Sequence, residues 1–453
     1  MNIMHAVAVS LLSVSLCSPA VMAAVSAEQA AALGTRLTPM GAEQGGNADG
    51  SIPAWAPIAR NAGAVDSKGF LADPYASEKP LFTITAANVE QYKDKLAPGQ
   101  YALFKRYPQS FTMPVYPTHR SATVPDEVFA AIRQNATQAR LAGDGNGLEN
   151  FHGAVPFPLP QSGIEAIWNH IGRYRGGSVS RTITQATPQQ NGSYSLVYFQ
   201  EQFVFREKMK DYDPKNPGNV LFYFKQNVTA PARLAGNVLL VHETLDQVAE
   251  PRSAWIYNAG QRRVRRAPQV SYDGPGTAAD GLRTSDNLDM YNGAPDRYDW
   301  TLVGKQEMYI AQGAYKLDSP SLKYSDILKA GHINQDLTRY ELRRVWHVVA
   351  TLKAGQRHIY AKRDFYLDED TWQAAVVDHY DGRGQLWRVA EAHAQHYYNV
   401  QVPWTTLETL YDLQSGRYLA LGMKNEEKRA YDFGFTATTG DFTPAALRQE
   451  GVR

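Results

Sequence analysis

The second half of this chain is a long succession of segments with the two-residue period of β-strands, and this pattern constrains the fold more than any other feature. We predict strands at 193–207, 219–228, 236–246, 253–258, 300–311, 338–353, 357–367, 372–380, 384–398, 404–412 and 417–423. The sequence Asp381-Gly382-Arg383-Gly384 between two of them is typical of a hairpin turn. Since no helices of regular length separate these strands, the pattern favours one large antiparallel sheet over a parallel α/β fold.

Helices are expected at a few places before the strands begin. A helix near 125–141 has apolar residues at helical spacing behind a proline at a start position. Ser162 can cap a second helix near 162–173. A third helix is predicted at 85–96, where Pro98-Gly99 would end it.

These patterns divide the chain unevenly. Residues 34–55 are rich in Gly, Ala, Pro and Asn, so we expect 24–120 to wrap over the protein as irregular chain. Residues 121–453 would form one β domain with a long loop at 267–299. The predicted fold class is therefore α+β, mainly β.

Residues 1–23 have the pattern of a secretory signal peptide. The segment from Ala6 to Leu16 is apolar, and Val21-Met22-Ala23 supplies small residues at a cleavage site. The one cysteine, Cys17, lies inside this segment, so the mature protein would have no thiol for a disulfide bond or a cysteine metal site. We therefore expect a periplasmic protein.

The overall charge gives no sign of a polyanionic partner. The chain has 46 basic and 45 acidic residues and a net charge of +1. A nucleic-acid-binding protein usually has a clear basic excess. We expect no nucleic acid among the partners.

The stretch from Ser253 to Ile310 contains the most unusual loop. Two strand-like ends enclose about thirty residues without clear periodicity, and loops of this length are usually functional. Four arginines precede the loop, namely Arg262, Arg263, Arg265 and Arg266. Three interpretations are open for these arginines. They form a solvated edge of the sheet, they pair with carboxylates of the loop, or they bind an anionic head group or an acidic partner surface.

Several segments of the chain carry a family resemblance. They are Gly46 to Trp55, Pro156 to His170, Trp255 to Pro268, Asp280 to Gly293, Asp296 to Lys305 and Asp364 to Trp372. With these segments the chain resembles the DUF1329 family of outer-membrane lipoprotein-sorting-like proteins, which is similar to the LolA/LolB lipoprotein carriers. The resemblance implies a half-barrel, in which a curved antiparallel sheet has helices over its concave face. It also implies binding of acyl chains, no catalytic residues to transfer, and neighbouring transporters of the efflux type.

The sequence predicts no metal site and no cofactor. The 11 histidines form neither an H-x-H nor an H-E-x-x-H pattern, and no G-x-S-x-G nucleophile elbow or phosphate-binding loop is present. The long loop does contain five aspartates, namely Asp280, Asp286, Asp289, Asp296 and Asp299. Such residues most often make turns and caps.

Two functional hypotheses follow. The first is a non-enzymatic periplasmic carrier of a hydrophobic or lipid-like ligand, which would exchange it with an inner-membrane efflux-type transporter or an outer-membrane protein. Its apolar cavity would be lined by aromatic residues, namely Trp255, Tyr257, Trp300, Tyr309, Trp346 and Tyr366. The second is a secreted hydrolase that acts on lipid or carbohydrate through the aspartates of the loop 267–299.

Overall fold

The computed structural model describes residues 25–450 except 268, 269 and 271, so the predicted signal peptide at 1–23 lies outside the described residues. The α-helices of the described part are α1 (Ala27–Ala30), α2 (Pro98–Arg106), α3 (Asp126–Gln138), α4 (Gly163–Gly172), α5 (Tyr324–Ile327) and α6 (Pro444–Glu450). Within these residues, no helix is both long enough and apolar enough to cross a membrane.

Most of the described chain is β-structure. The short N-terminal strands are β1 (Phe82–Ile84), β2 (Met113–Val115), β3 (Arg140–Ala142) and β4 (Gly147–Glu149). The next six are β5 (Ser178–Ala186), β6 (Leu196–Phe205), β7 (Val220–Ala230), β8 (Val238–Thr244), β9 (Ser253–Asn258) and β10 (Arg263–Arg266). The last seven are β11 (Tyr298–Ala311), β12 (Tyr340–Leu352), β13 (Lys362–Asp368), β14 (Ala374–Tyr380), β15 (Leu386–Tyr397), β16 (Val402–Asp412) and β17 (Tyr418–Met423).

Fifteen of these strands form one sheet, while β3 and β4 pair separately. The order is β1-β2-β12-β13-β14-β15-β16-β17-β5-β6-β7-β8-β9-β10, and β11 pairs along β12. Neighbours run antiparallel except at one parallel pairing between Tyr340 and Val115. Because β10 and β11 each pair with a single described strand, the sheet is open. The prediction of a large, mainly antiparallel sheet is confirmed.

Two local predictions need correction. The helix predicted at 85–96 is wrong, since this segment forms only two short 3₁₀ turns. Pro98 instead occupies the first turn of α2, where its missing N–H costs nothing. Strand β5 was not predicted, although Val179 and Ile183 on it are buried and the intervening residues are polar.

The two faces of the sheet bury different parts of the chain. We call one face the loop face; it carries Phe199, Phe222, Val348, Phe365 and Leu410 and packs against α3, α4 and the long loop. The opposite face, the back face, packs against α2 and α5 around β11 to β17. At the other end of the sheet, α6 covers the back face of β6, β8 and β9.

Helix α4 is placed by its first turn. The Ser162 hydroxyl accepts a hydrogen bond from Glu165 N at 3.4 Å, which is the predicted cap. Gly163 follows directly, and a Cβ atom there would lie 2.7 Å from the Trp300 carbonyl carbon of β11. The absence of a side chain therefore lets α4 approach the sheet closely.

Candidate ligand-binding site

The long loop between β10 and β11 packs against the loop face and is held together by its own backbone. Gly276 N donates to Arg283 O at 2.9 Å, and Asp286 N donates to Tyr272 O at 3.0 Å. The loop also buries apolar side chains in the core of this face, among them Leu282, Met290 and Tyr291. It is therefore part of the folded core and not a solvated connection.

Asp289 fastens the loop to the end of α4. One carboxylate oxygen accepts from Arg173 Nη2 at 2.7 Å, and the other accepts from Arg175 Nη1. The first oxygen also accepts from Trp404 Nε1 of β16 at 3.0 Å. Both arginines are buried. One carboxylate thus joins the loop, the helix end and the sheet.

Asp286 makes a second buried ion pair, this time with β13. Arg363 Nη2 donates to Asp286 Oδ2 at 2.9 Å, and His358 Nε2 lies 3.0 Å from the same oxygen. Thr284 Oγ1 donates to Asp286 Oδ1 at 2.6 Å. All the oxygens of this carboxylate are therefore engaged inside the protein.

These contacts determine how the two carboxyl groups ionise. Burial alone would raise the pKa of both groups, but the neighbouring cations outweigh it. Arg363 holds the pKa of Asp286 well below its ordinary value, and Arg173 with Arg175 does the same for the pKa of Asp289. Both carboxylates stay ionised at neutral pH. This favours a structural role over the acid–base role that the hydrolase hypothesis gives them.

The other aspartates of the loop lie closer to solvent. Asp280 is exposed and pairs with Arg417. Asp296 accepts from the Tyr272 hydroxyl at 3.0 Å, and Asp299 is exposed. The five aspartates therefore do not form one group.

The backbone of the loop is strained. Positive φ angles occur at Tyr272 (52°), Ala278 (51°), Asp280 (52°), Asp289 (54°) and Met290 (67°). For residues with a side chain this conformation costs about 1–2 kcal/mol each, and somewhat less for Asp. It persists where surrounding contacts impose it. The loop is consequently held in this shape by its anchors on the sheet.

A cleft of about 50 Å³ separates the loop from β7 and β8. Its sheet wall is apolar and consists largely of Phe222, Phe224, Leu239 and Val241. Its loop wall includes Val270, Pro275, Gly276, Thr277 and Leu288. Small-molecule sites typically combine such apolar walls with a few polar groups.

Arg283 of the loop is the polar group that distinguishes this cleft. Its side chain lines the cleft, and the residue is only 4% exposed. Among the described residues its guanidinium has no hydrogen-bond partner and no carboxylate within 4 Å, and its Nε atom is buried without a partner. Burial lowers the pKa of this guanidinium. Sequence reasoning missed Arg283, because nothing in the pattern of the loop separates it from a surface arginine.

The remaining polar groups of the cleft are partly satisfied. Arg252 pairs with Glu243 at 3.0 and 2.7 Å, and Asn292 Nδ2 donates to Glu243 Oε2 at 2.8 Å. The side-chain oxygens of Gln226 and Asn292 are buried without a partner. Several buried polar atoms of one small cleft thus lack partners, which is unusual in a protein interior.

Two other cavities are larger. One, of about 610 Å³, lies between 64–76 and 315–322, and another, of about 210 Å³, lies beside α3 and 205–208. We nevertheless take the cleft under the loop as the candidate site, because it combines apolar walls with a buried unpaired cation. Within the described part of the chain, no group of three or more His, Cys, Asp or Glu side chains is arranged to hold a metal ion.

The six aromatic residues proposed from the sequence as a cavity lining lie in three places. Trp300 and Trp346 pack on the loop face, where Trp346 stacks on Trp372 with ring centroids 6.1 Å apart. Tyr309 and Tyr366 are buried on the back face, against the parts of the chain around α2. Trp255 and Tyr257 pack near α6. The structure does not bring the six together, and a ligand contact by any of them stays a prediction.

The basic run forms the edge of the sheet. Arg262 lies in the preceding turn with φ 51°, and Arg263, Arg265 and Arg266 lie exposed on β10, which pairs with β9 alone. Arg266 donates to Ser253 Oγ at 3.0 Å. Among the described residues, no carboxylate lies within 4 Å of any of the four guanidinium groups, so local pairing with the loop is not observed. A contact with an anionic head group or a partner stays a prediction.

Comparison with known proteins places the chain in a family. The model of the family described as a protein of unknown function, DUF1329, matches residues 83–448. The uncharacterised protein PA3922 of Pseudomonas aeruginosa is 75% identical over 443 residues, which cover 98% of this chain and 97% of that protein.

Solved structures also resemble the chain at low sequence identity. The putative outer membrane lipoprotein-sorting protein domain from Vibrio parahaemolyticus is 14% identical, with a TM-score of 0.42, over 60% of this chain and 92% of its own. A DUF1329 family protein from Desulfovibrio piger is 13% identical, with a TM-score of 0.41, over 60% of this chain and 92% of its own. Given the match of the family model and the Pseudomonas aeruginosa relative, this chain belongs to the DUF1329 family.

Proposed function

We propose that this protein is a periplasmic carrier that binds a hydrophobic, lipid-like ligand between the loop face of the sheet and the long loop. The observation that carries the proposal is the cleft itself. Phenyl and branched aliphatic side chains of β7 and β8 line it together with residues of the long loop, and the buried cation of Arg283 is among the lining groups. An apolar wall of this kind, once the loop uncovers it, is a ready site for an acyl chain or a polycyclic ligand.

The cleft in its present shape has room for only about one or two water-sized groups, so the proposal includes a movement of the loop. Ligand pockets usually have volumes of about 300–1,000 Å³, against about 50 Å³ here. Leu282, Met290 and Tyr291 of the loop are buried in the core of the same face of the sheet. If the loop lifts, a ligand takes the place of these side chains and covers the same apolar surface.

Two features support a loop that exchanges with a ligand. First, part of what fastens the loop to the sheet is polar, such as the contacts of Asp286 and Asp289, and water can replace these contacts when the loop lifts. Second, its positive φ angles store backbone strain that an open loop would release. Both effects reduce the free-energy cost of opening.

The cellular setting is part of the proposal. A signal peptide at 1–23 would deliver the protein to the periplasm. The carrier would then exchange its ligand with an inner-membrane efflux-type transporter or an outer-membrane protein, as the family resemblance implies. The exposed arginines of β10 are a surface that such a partner or an anionic membrane would contact.

Cavity-filling variants test the proposal. We expect Val241→Trp, on the sheet wall, and Leu288→Trp, on the loop wall, to weaken binding of a fluorescent acyl probe about 10-fold or more, because an indole occupies the space of the ligand. The control is Val303→Trp, at a position of β11 that is 57% exposed. Circular dichroism and thermal unfolding confirm that each variant is folded. If both cleft variants bind the probe as the control does, the proposed site is wrong.

A further inference from the structure

We infer that the ligand is amphipathic and carries one acidic group, a carboxylate or a phosphate, that pairs with the guanidinium of Arg283. This inference rests on the proposed carrier function and adds the chemistry of the head group. It starts from the unusual state of Arg283, which is buried and has no described partner. The carboxylates of Glu408, Glu201 and Asp286 act on its charge only from beyond 4 Å. A buried guanidinium with no carboxylate in direct contact is costly, and proteins normally pair such groups.

The other arginines of the loop face are already paired. Arg252 binds Glu243, Arg363 binds Asp286, and Arg181 binds Glu201 at 2.7 Å. Each of these carboxylates is thereby neutralised. Arg283 also lines the cleft, but none of the described carboxylates lies within 4 Å of its guanidinium.

The balance of charges around the cleft also favours an acidic group on the ligand. Five arginines lie beneath and within the loop, namely Arg173, Arg175, Arg181, Arg283 and Arg363. Four carboxyl groups face them, namely Glu201, Asp286, Asp289 and Glu408. The pairing leaves one positive charge in excess. Burial, together with the charge of Asp289, raises the pKa of Glu408 to about 7, so protonation of this group increases the excess further.

The loop backbone holds the guanidinium in position. A Cβ atom at Gly276 would lie 2.9 Å from Arg283 Cζ and 3.0 Å from its Nη2. Gly276 therefore lets the main chain pass directly beside the cation, while its N–H donates to the Arg283 carbonyl at 2.9 Å. The guanidinium is thus held beside Gly276 in the lining of the cleft, which also includes Phe222 and Phe224.

This arrangement defines the ligand by its chemistry. An acidic head would form charge-assisted hydrogen bonds with Arg283, for which guanidinium geometry suits both carboxylate and phosphate. An apolar tail would extend over β7 and β8 once the loop has moved. A neutral lipid of the same length would bury the same tail and leave Arg283 unpaired.

Affinities of three ligands with the same tail test the inference. Hexadecanoate, hexadecyl phosphate and hexadecanol are titrated into the wild-type protein and the Arg283→Gln variant, with Arg383→Gln, in the exposed turn between β14 and β15, as the matched control. We expect at least one acid to bind wild type about 10- to 100-fold more tightly than the alcohol, as a charge-assisted contact allows. The more tightly bound acid identifies the head group.

The variants separate a binding role from a structural one. Arg283→Gln should lose the preference for the acid, bind the alcohol as before, and unfold at the same temperature or higher, since it removes an unpaired buried charge. Gly276→Ala, which pushes a methyl group against the guanidinium, should reduce the preference in part. Arg383→Gln should retain it.

The outcomes distinguish the two proposals. If wild type binds acid and alcohol equally, or if Arg283→Gln retains the preference for the acid, the head-group inference is wrong and the carrier function stands. If none of the three ligands binds, the carrier function itself fails.

Discussion

Replacing Asp289 by Asn tests the description of the loop most severely, because this carboxylate neutralises two buried arginines. The substitution preserves shape and changes charge. Asn adopts the φ of 54° found at this position as readily as Asp does, so backbone strain is unchanged. What is lost is the counter-charge of Arg173 and Arg175.

The expected loss of stability follows from these contacts. Removing one partner of a buried ion pair costs about 3–5 kcal/mol, so we expect about 4 kcal/mol for Asp289→Asn. Unfolding entropy is about 2.1 cal/mol/K per residue, or roughly 0.9 kcal/mol/K for the residues 25–450. The melting temperature should therefore fall by about 4–5 °C at pH 7.

The measurement is thermal and urea unfolding of Asp289→Asn beside Asp299→Asn, the same change at an exposed aspartate. The control should stay within about 0.5 kcal/mol of wild type. Since the pKa of Asp289 is depressed in the folded state, its stabilisation is present at pH 7 and is lost as the pH falls below about 3.9 towards the folded pKa. An Asp289→Asn protein as stable as the control at pH 7 would show that this carboxylate does not anchor the loop.

Three further predictions concern other parts of the molecule. Burial raises the pKa of Asp378 to about 8, so the folded state binds the proton of this carboxyl group more tightly than the unfolded state does. The free energy of unfolding should therefore fall by up to about 1.4 kcal/mol per pH unit between pH 4 and 8. Asp378→Asn should flatten this slope in urea unfolding, and an unchanged slope would show that Asp378 does not cause it. Reversing Arg263 and Arg265 to Glu should leave the melting temperature unchanged but abolish salt-sensitive binding to vesicles that contain anionic lipid, whereas retained binding would remove β10 as the contact surface. Gly163→Ala should lower the free energy of unfolding by about 1–3 kcal/mol, because the added Cβ atom meets the backbone of β11. Gly382→Ala should leave it unchanged, because a Cβ atom there has open space around it. Equal stabilities of the two variants would refute the close packing of α4.

The sheet could be predicted from the sequence because its strands alternate strongly. Predicted segments such as 253–258 and 417–423 match β9 and β17 to within a residue. Proline was the weaker signal. Pro98 was interpreted as a helix end, yet the same fixed φ that stops one helix suits the first turn of the next.

The candidate site could be located only coarsely. The length of the loop indicated where to look, but the partners of its aspartates lie far away in the sequence. Asp289 pairs with Arg173, 116 residues earlier, and Asp286 with Arg363, 77 residues later. Contacts over such separations leave no local pattern. Arg283 became notable only because the fold buries it with no carboxylate within 4 Å among the described residues and leaves its Nε atom without a hydrogen-bond partner.

The predicted aromatic lining illustrates a second limit. Period-two alternation shows which strand residues share a face, but it does not say which face a ligand meets. Trp300 and Tyr309 lie on the same strand, yet Trp300 packs against the core of the loop face and Tyr309 lies in the core of the back face. Choosing the lining by residue type therefore mixed both faces.

Mass spectrometry of organic extracts from the purified mature protein tests the central claim most directly. We expect a stoichiometric amphipathic acid that stays with the folded protein and is released on denaturation. Arg283→Gln, purified in the same way, should contain less of it than Arg383→Gln. A wild-type protein that yields no such compound and also fails to bind a fluorescent acyl probe would contradict the proposal that the loop covers a site for a hydrophobic ligand.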